Sequence, residues 1–274
     1  MTAALPANVE LLDRQRILAG LSATARAWLS RLEVYSTLDS TNNYLLTQAN
    51  AHWPSGAVCL TEQQQAGRGR LGRPWLSPFA ACLAASLLWR FPQGGASLSG
   101  LSLATGIAIA RALRRFGVAE VGLKWPNDLW WRARKLGGIL LESGVSEGTF
   151  FVVAGVGLNV ALPPAAVSLI DQPWVDLQEI LGRERIARNA LAASLLSEWI
   201  ETFVRFQEDG FVNLAAEWAD FDQTAGRRVR LLLPNAVLTG IARGVDPTGA
   251  LLLESDDGRL QRCIGGEISL RLEP

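Results

Sequence analysis

Arginine and glycine crowd one segment of this chain, Gly67-Arg68-Gly69-Arg70-Leu71-Gly72-Arg73-Pro74-Trp75. Three guanidinium forks on a glycine backbone suit a multiply charged anion such as phosphate or carboxylate, and Trp75 offers a ring on which a base can stack. The glycines at 67, 69 and 72 spell GxGxxG, but a dinucleotide fold needs a strand directly before that motif and a helix directly after it. Here Thr-Glu-Gln-Gln-Gln-Ala precedes and Arg-Pro-Trp-Leu-Ser-Pro follows, with two prolines where the helix would start, so that reading fails. No GxxxxGK[ST] phosphate loop occurs in the sequence.

A second segment holds both lysines of the chain. Of 26 basic residues only Lys124 and Lys135 are lysine, and they flank Trp125-Pro126-Asn127-Asp128. Arginine cannot replace lysine where a compact charge on a flexible stem must reach one atom, so both are candidates for chemistry. Pro126 pushes Trp125 into an extended conformation, and Asn127-Asp128 is expected to turn the chain at a strand end. That turn would present an amide and a carboxylate to substrate polar groups or to Mg²⁺. Two weaker candidates complete the set. Asn159 ends the apolar run Gly155-Val156-Gly157-Leu158, where a buried amide must either tie down a loop or read a ligand edge. Ser40-Thr41-Asn42 stands at a predicted helix start, as a plain cap or as a grip for a small polar ring.

The elements that must position these residues follow from periodicity and punctuation. Helical spacing covers 9–19, and a strand is expected at 32–36. A helix starts at Ser40-Thr41 and runs to Ala51. Strands follow at 57–62 and 82–91, separated by the polar loop 63–78. A helix at 98–116 ends at Gly117, and strands are expected at 122–124, 136–143 and 149–156. Residues 176–221 read as helical. After Gly226 the pattern changes to five short β runs separated by Pro-Asn, Asp-Pro-Thr-Gly, Asp-Asp-Gly and Gly-Gly turns, which suggests a small barrel. The expected class is α+β, a main domain followed by a β-barrel.

Composition narrows the function. The chain has 274 residues with 49% apolar content, enough for a large core. Twenty-six basic residues balance 26 acidic ones, which argues against a general nucleic-acid coat and against an RNA-binding reading of the arginine loop. The longest apolar runs, 79–89 and 98–110, fall short of the roughly 20 residues a membrane helix needs. The start of the chain does not read as a signal peptide. Cys59, Cys82 and Cys263 lie far apart, and His52 is the single histidine. A disulfide framework or zinc site is not expected, and a reducing cytoplasm fits.

The ordered set Asp-Ser-Thr-Asn at 39–42, Gln-Gln-Gln-Ala-Gly-Arg-Gly-Arg-Leu-Gly-Arg-Pro-Trp at 63–75, Lys-Trp-Pro-Asn-Asp at 124–128, Arg-Lys-Leu-Gly-Gly-Ile-Leu-Leu-Glu at 134–142 and Gly-Val-Gly-Leu-Asn-Val at 155–160 resembles bacterial biotin protein ligase. The resemblance runs from about Val9 to Arg271 and includes the tail Gly-Gly-Glu-Ile-Ser-Leu-Arg. It implies a catalytic domain at 35–224, a mixed β-sheet flanked by helices of the class II synthetase and biotin/lipoate ligase type. A lead segment with a short helix would precede it at 1–34, and an SH3-like barrel would follow at 225–274. It also implies the reaction, in which biotin carboxylate attacks the α-phosphate of ATP to give biotinyl-5′-AMP. A lysine of a biotin carboxyl carrier protein, an acetyl-CoA carboxylase subunit, then takes the biotinyl group.

By the same resemblance Ser40, Thr41, Asn42 and Gln64 would hold the ureido ring, and Arg68, Gly69 and Arg70 would close over carboxylate and phosphate. Lys135 would lie on the biotin carboxylate and the α-phosphate. Lys124 would be a charge-stabilising catalytic group, and Arg70 would share in catalysis as part of the lid. Arg73, Trp75, Asn127, Asp128, Asn159 and Arg271 would meet ATP, with Asp128 holding Mg²⁺. The acyl phosphate is destroyed by water, so the glycine loop would act as a lid. Relatives of this kind can form homodimers, and some carry an N-terminal winged helix that binds DNA. No helix-turn-helix is read before Tyr35, so DNA repression is not expected of this sequence. Lipoate ligases share the catalytic fold and supply the alternative substrate, and a biotin sensor with a vestigial site supplies a non-enzymatic alternative.

Overall fold

The structure is a computed structural model that describes residues 9–92, 98–265 and 268–273. A seven-stranded sheet has the order β1-β2-β3-β7-β6-β5-β4, formed by β1 (Arg31–Leu38), β2 (Ala57–Gln64), β3 (Cys82–Phe91), β4 (Val121–Lys124), β5 (Asp128–Trp131), β6 (Arg134–Ser146) and β7 (Thr149–Asn159). Only β1 and β2 run parallel, joined by the crossover helix α3 (Thr41–Asn50). All other neighbours are antiparallel.

Period-2 alternation divides the sheet into two faces. Val58, Leu60, Leu83, Ala85, Leu87, Val152, Ala154, Val156 and Leu158 belong to the main core with the apolar faces of α4 (Leu101–Arg115) and α7 (Arg188–Asp209). The alternate residues Ala57, Cys59, Leu88, Phe151 and Val153 pack with Leu45 and Ala49 of α3 in a smaller cluster. Two short helices, α1 (Arg14–Gly20) and α2 (Ala23–Trp28), pack on α7. Between β7 and α7 lie α5 (Pro164–Val167) and α6 (Leu177–Leu181), and α8 (Ala215–Phe221) leads to the C-terminal unit.

That unit is a five-stranded antiparallel sheet of order β11-β10-β9-β8-β12, comprising β8 (Arg228–Leu232), β9 (Val237–Val245), β10 (Leu251–Glu254), β11 (Leu260–Cys263) and β12 (Ser269–Leu272). Val229, Leu231, Ala242, Leu251, Leu253 and Leu270 are buried inside it. It is anchored to the larger sheet through Trp125, whose Nε1 donates to the Gly249 carbonyl at 3.1 Å, and through the close approach of Gly249 to Gly100.

Three expectations need adjusting. Asn127-Asp128 does not form the turn by itself: Asp128 is already in β5 and pairs with Lys124 across a β4–β5 hairpin, a strand too short to give a periodic signal. The first helix starts at Arg14, capped by Asp13, because residues 10–13 are held elsewhere. Leu12 N–H donates to Glu62, Asp13 N–H donates to Asn189, and Arg188 donates to the Glu10 carbonyl. The third is the helix expected from 98, which begins at Leu101 behind Gly100, whose φ of +82° ends the preceding loop. Residues 1–8 of the expected lead segment, and Gly266 and Glu267 of the tail motif, lie outside the described residues.

Candidate active site

Sheet register builds the site. One row across the strands reads Lys124, Asp128, Gly138, Gly157, Ala84 and Thr61; the next reads Leu140, Gly155, Ser86 and Cys59. Cross-strand partners share a face, so motifs far apart in sequence meet on the α3 side of the sheet. The residues at its centre are small, which makes the floor concave. A cleft of about 1110 Å³ opens there, roofed by the arginine loop and closed at one end by β12.

Two glycines of the floor are sterically required. A Cβ on Gly155 would stand 2.2 Å from Asn42 Oδ1, and one on Gly157 would stand 2.5 Å from the Trp75 ring. The Gly-Val-Gly sequence therefore lets α3 and the arginine loop come down onto the sheet.

The arginine loop is itself a narrow ladder. Gly69 N–H donates to the Arg73 carbonyl at 2.7 Å and Trp75 N–H to the Gly67 carbonyl at 2.8 Å. Leu71 sits at its tip with φ +59°. Arg70 fastens the loop over the cleft, donating to Asn127 Oδ1 and to the Ile268 carbonyl, each at 3.0 Å. Trp75 Nε1 is buried and donates to no group among the described residues, a donor suited to a ligand acceptor.

At one end Asp128 lies between the two lysines. Lys135 Nζ is 2.8 Å from its Oδ1 and Lys124 Nζ 3.3 Å from its Oδ2. Burial opposes ionisation of Asp128, but Lys135 and Lys124 outweigh it and hold the carboxyl below the ordinary Asp range. Burial also lowers the pKa of Lys124, against the opposing pull of Asp128, and the charges of Arg271 and Lys135 lower it further. Lys124 Nζ lies 4.8 Å from the centre of the Trp130 ring, a cation–π contact that favours its charged form.

At the other end is a polar chain. Thr41 donates to Gln64 Oε1 through its N–H at 2.9 Å and its hydroxyl at 3.2 Å. Ser86 Oγ lies 2.7 Å from Thr41 Oγ1 and 2.6 Å from Asn42 Oδ1. Asn42 Nδ2 donates to Glu142 at 2.9 Å and to the Leu140 carbonyl at 3.3 Å. Ser40 caps α3, accepting from Asn43 N–H.

Every residue singled out from the sequence lines this one cleft: Ser40, Thr41, Asn42, Gln64, Arg68, Gly69, Arg70, Arg73, Trp75, Lys124, Asn127, Asp128, Lys135, Asn159 and Arg271. Asn159 also ties down a loop, its Nδ2 donating to the carbonyls of Val175 at 3.1 Å and Lys135 at 3.4 Å. That loop brings Leu169, Ile170, Asp171, Gln172 and Trp174 to the cleft wall. Sequence reasoning missed these residues and Ser86, because apolar strands and an irregular loop carry no local chemical signal, and it gave no role to Glu142, which closes the motif at 134–142. The metal role expected of Asp128 fits poorly, since each of its oxygens already faces an ammonium group. No group of three metal-ligating side chains occurs among the described residues.

Known proteins share this fold. The biotin/lipoate A/B protein ligase family matches residues 34–159, and the biotin protein ligase C-terminal domain matches 224–271. The chain is 41% identical over 268 residues to the bifunctional ligase/repressor BirA of Escherichia coli K12, covering 97% of this chain and 80% of that protein. It is 35% identical over 271 residues to the biotin–[acetyl-CoA-carboxylase] ligase of Mycobacterium tuberculosis, covering 95% of this chain and 96% of the relative. The structure of biotin protein ligase from Aquifex aeolicus in complex with biotin and ATP superposes with a TM-score of 0.76 at 28% identity, covering 89% of this chain and 100% of that one. The fold is thus that of the biotin and lipoate ligases. Within that class, the chain belongs to the biotin protein ligase family.

Proposed function

We propose that this enzyme attaches biotin to a lysine of a carboxyl carrier protein in two steps within the one cleft, using ATP. A biotin carboxylate oxygen attacks the α-phosphorus of ATP, the bond to pyrophosphate breaks, and biotinyl-5′-AMP forms. The carrier lysine, as the free amine, then attacks the acyl carbon, and AMP leaves with the bonding electron pair.

The observation that carries this reading is the division of the cleft. A hydrogen-bonding chain, Gln64–Thr41–Ser86–Asn42, stands at one end and the Lys124–Asp128–Lys135 cluster at the other, with the arginine loop across both. Ureido N–H and carbonyl groups need such polar partners, and a dithiolane ring does not, which favours biotin over lipoate. Two anions must meet in the first step, and preorganised cations in a partly dry cleft stabilise that encounter far better than water does. Lys135 would bridge carboxylate and α-phosphate, with Asp128 orienting its ammonium group and that of Lys124. Arg70, Arg73 and Arg271 would face the phosphates, and Trp75 and Asn159 the nucleoside. The resemblance offers Asp128 to Mg²⁺, but its two lysine contacts argue for an orienting role instead.

The same reading divides the chain into a catalytic part at 35–224 and a C-terminal part at 225–274, the latter lending Arg271 to the site. It also places the enzyme in the cytoplasm, where buried thiols such as Cys59, Cys82 and Cys263 stay reduced. No helix among the described residues is long and apolar enough to cross a membrane.

The test is ATP–pyrophosphate exchange without carrier protein, in the presence of biotin or lipoate, for the wild type and Lys135→Ala. Biotin should support exchange, lipoate should not, and the variant should lose about 100-fold or more. Exchange with lipoate alone would overturn the substrate assignment. Full exchange in Lys135→Ala would remove Lys135 from the chemistry.

A further inference from the structure

Glu142 lies in β6 on the cleft face, opposite Val153 and one row beyond Leu140 and Gly155. Its carboxylate takes two partners from different parts of the chain. Arg68 of the glycine loop places Nη2 2.7 Å from both carboxylate oxygens. From the start of α3, Asn42 donates its Nδ2 to Oε2 at 2.9 Å. Asn42 is buried, and its three contacts to Glu142, the Leu140 carbonyl and Ser86 leave its amide one orientation. Glu142 is thus the point at which the polar chain at the ring end of the cleft meets the loop above it.

We propose that Glu142 is a positioning residue for biotin: it orients Asn42 and seats Arg68, so that the loop rests on the ring-recognising end of the cleft. This rests on the biotin reading above. The carboxylate touches no reacting atom and acts through two groups that line the site. Because the pair joins loop to sheet rather than neighbours on one element, losing it frees the loop's first arginine without touching Lys124, Asp128 or Lys135. The adenylation chemistry should survive and biotin should be held less well.

The experiment is biotin-dependent ATP–pyrophosphate exchange on Glu142→Gln, Arg68→Gln and the double variant, with KM for biotin, KM for ATP and kcat measured separately. Glutamine keeps the shape and an acceptor for Asn42 but removes the charge that seats Arg68. Each single variant should raise KM for biotin about tenfold, the scale of one charge-assisted hydrogen bond. In Glu142→Gln the KM for ATP and kcat should stay within about twofold, since Glu142 touches no reacting group; Arg68→Gln carries no such limit, because Arg68 itself lines the cleft. The double variant should resemble Arg68→Gln, because Glu142 acts on the loop through Arg68 and glutamine keeps the acceptor for Asn42. A purely structural role would instead lower thermal stability and shift all three parameters together. Unchanged KM for biotin in both single variants, or effects that multiply in the double variant, would overturn the proposal. Absence of biotin-dependent exchange in the wild type would refute the biotin reading itself, a separate and recognisable failure.

Discussion

Replacing Asp128 by Asn tests whether this carboxylate serves the lysines or a metal. Lys135 and Lys124 lie 2.8 and 3.3 Å from its two oxygens, and the Lys124 side chain is only 6% exposed. Removing one partner of a buried ion pair costs about 3–5 kcal/mol because the remaining charge is stranded. Here the Lys135 side chain is 19% exposed and can turn towards water, which argues for the lower end, about 3 kcal/mol. Lys124 cannot turn away and must shed its proton more easily. The effect has a pH signature whose sign is set by the two shifts.

Asp128 is held below its ordinary range in the folded state, so its contribution is present above about pH 4 and lost as pH falls through the folded value. In the Asn variant that acid loss is missing, and the gap to wild type narrows in acid. Lys124 is lowered in the folded protein, so its buried charge destabilises at low pH and is relieved as pH rises through the folded value. The variant should reach that relief at lower pH than wild type. Urea denaturation across pH measures both limbs, and exchange assays across Mg²⁺ concentration measure the catalytic side. The expected result is lower stability at pH 7 and a fall in kcat, with an unchanged Mg²⁺ requirement. Wild-type stability together with a tenfold higher Mg²⁺ requirement would refute the argument and return Asp128 to the metal.

Gly157→Ala would drive a methyl group into the Trp75 ring at 2.5 Å; the expected loss is about 1–3 kcal/mol in stability, together with weaker ATP binding, read by denaturation and by KM for ATP. Glu62→Gln would strand Arg188, which is 2% exposed and pairs with Glu62 at 2.6 Å. A loss of about 3–5 kcal/mol is expected in urea denaturation, and early proteolysis of residues 9–13 should accompany it, since Leu12 also bonds Glu62. Arg70→Gly would cut the ties from Arg70 to Asn127 and the Ile268 carbonyl; adenylate should still form but escape, detected as biotinylation of bystander proteins in a mixture, and retained selectivity for the carrier would count against a lid role.

Much of this protein was readable from the chain alone. The α+β class followed from periodicity, and all five strands of the C-terminal sheet followed from the turn residues between them, because hydrophobic spacing and turn chemistry are local properties. The candidate site residues that share the cleft were legible for a similar reason: an arginine-glycine cluster and two isolated lysines stand out by type. What remained hidden was relational. The short strand at Asp128 exists because it pairs with Lys124 on one side and with Gly138 of the next strand on the other, and a strand of four residues is too short to show a period. Gly155 and Gly157 look like generic strand glycines until Asn42 and Trp75 are seen resting on them. Ser86 and Glu142, unremarkable in their strands, become part of the site only because register sets Ser86 beside Gly155 and Glu142 beside Val153. Residue types determined which chemistry was available. Only the tertiary structure decided which groups share it, because ion pairing and steric contact act over a few ångströms, and those distances are set by strand register and not by separation along the chain.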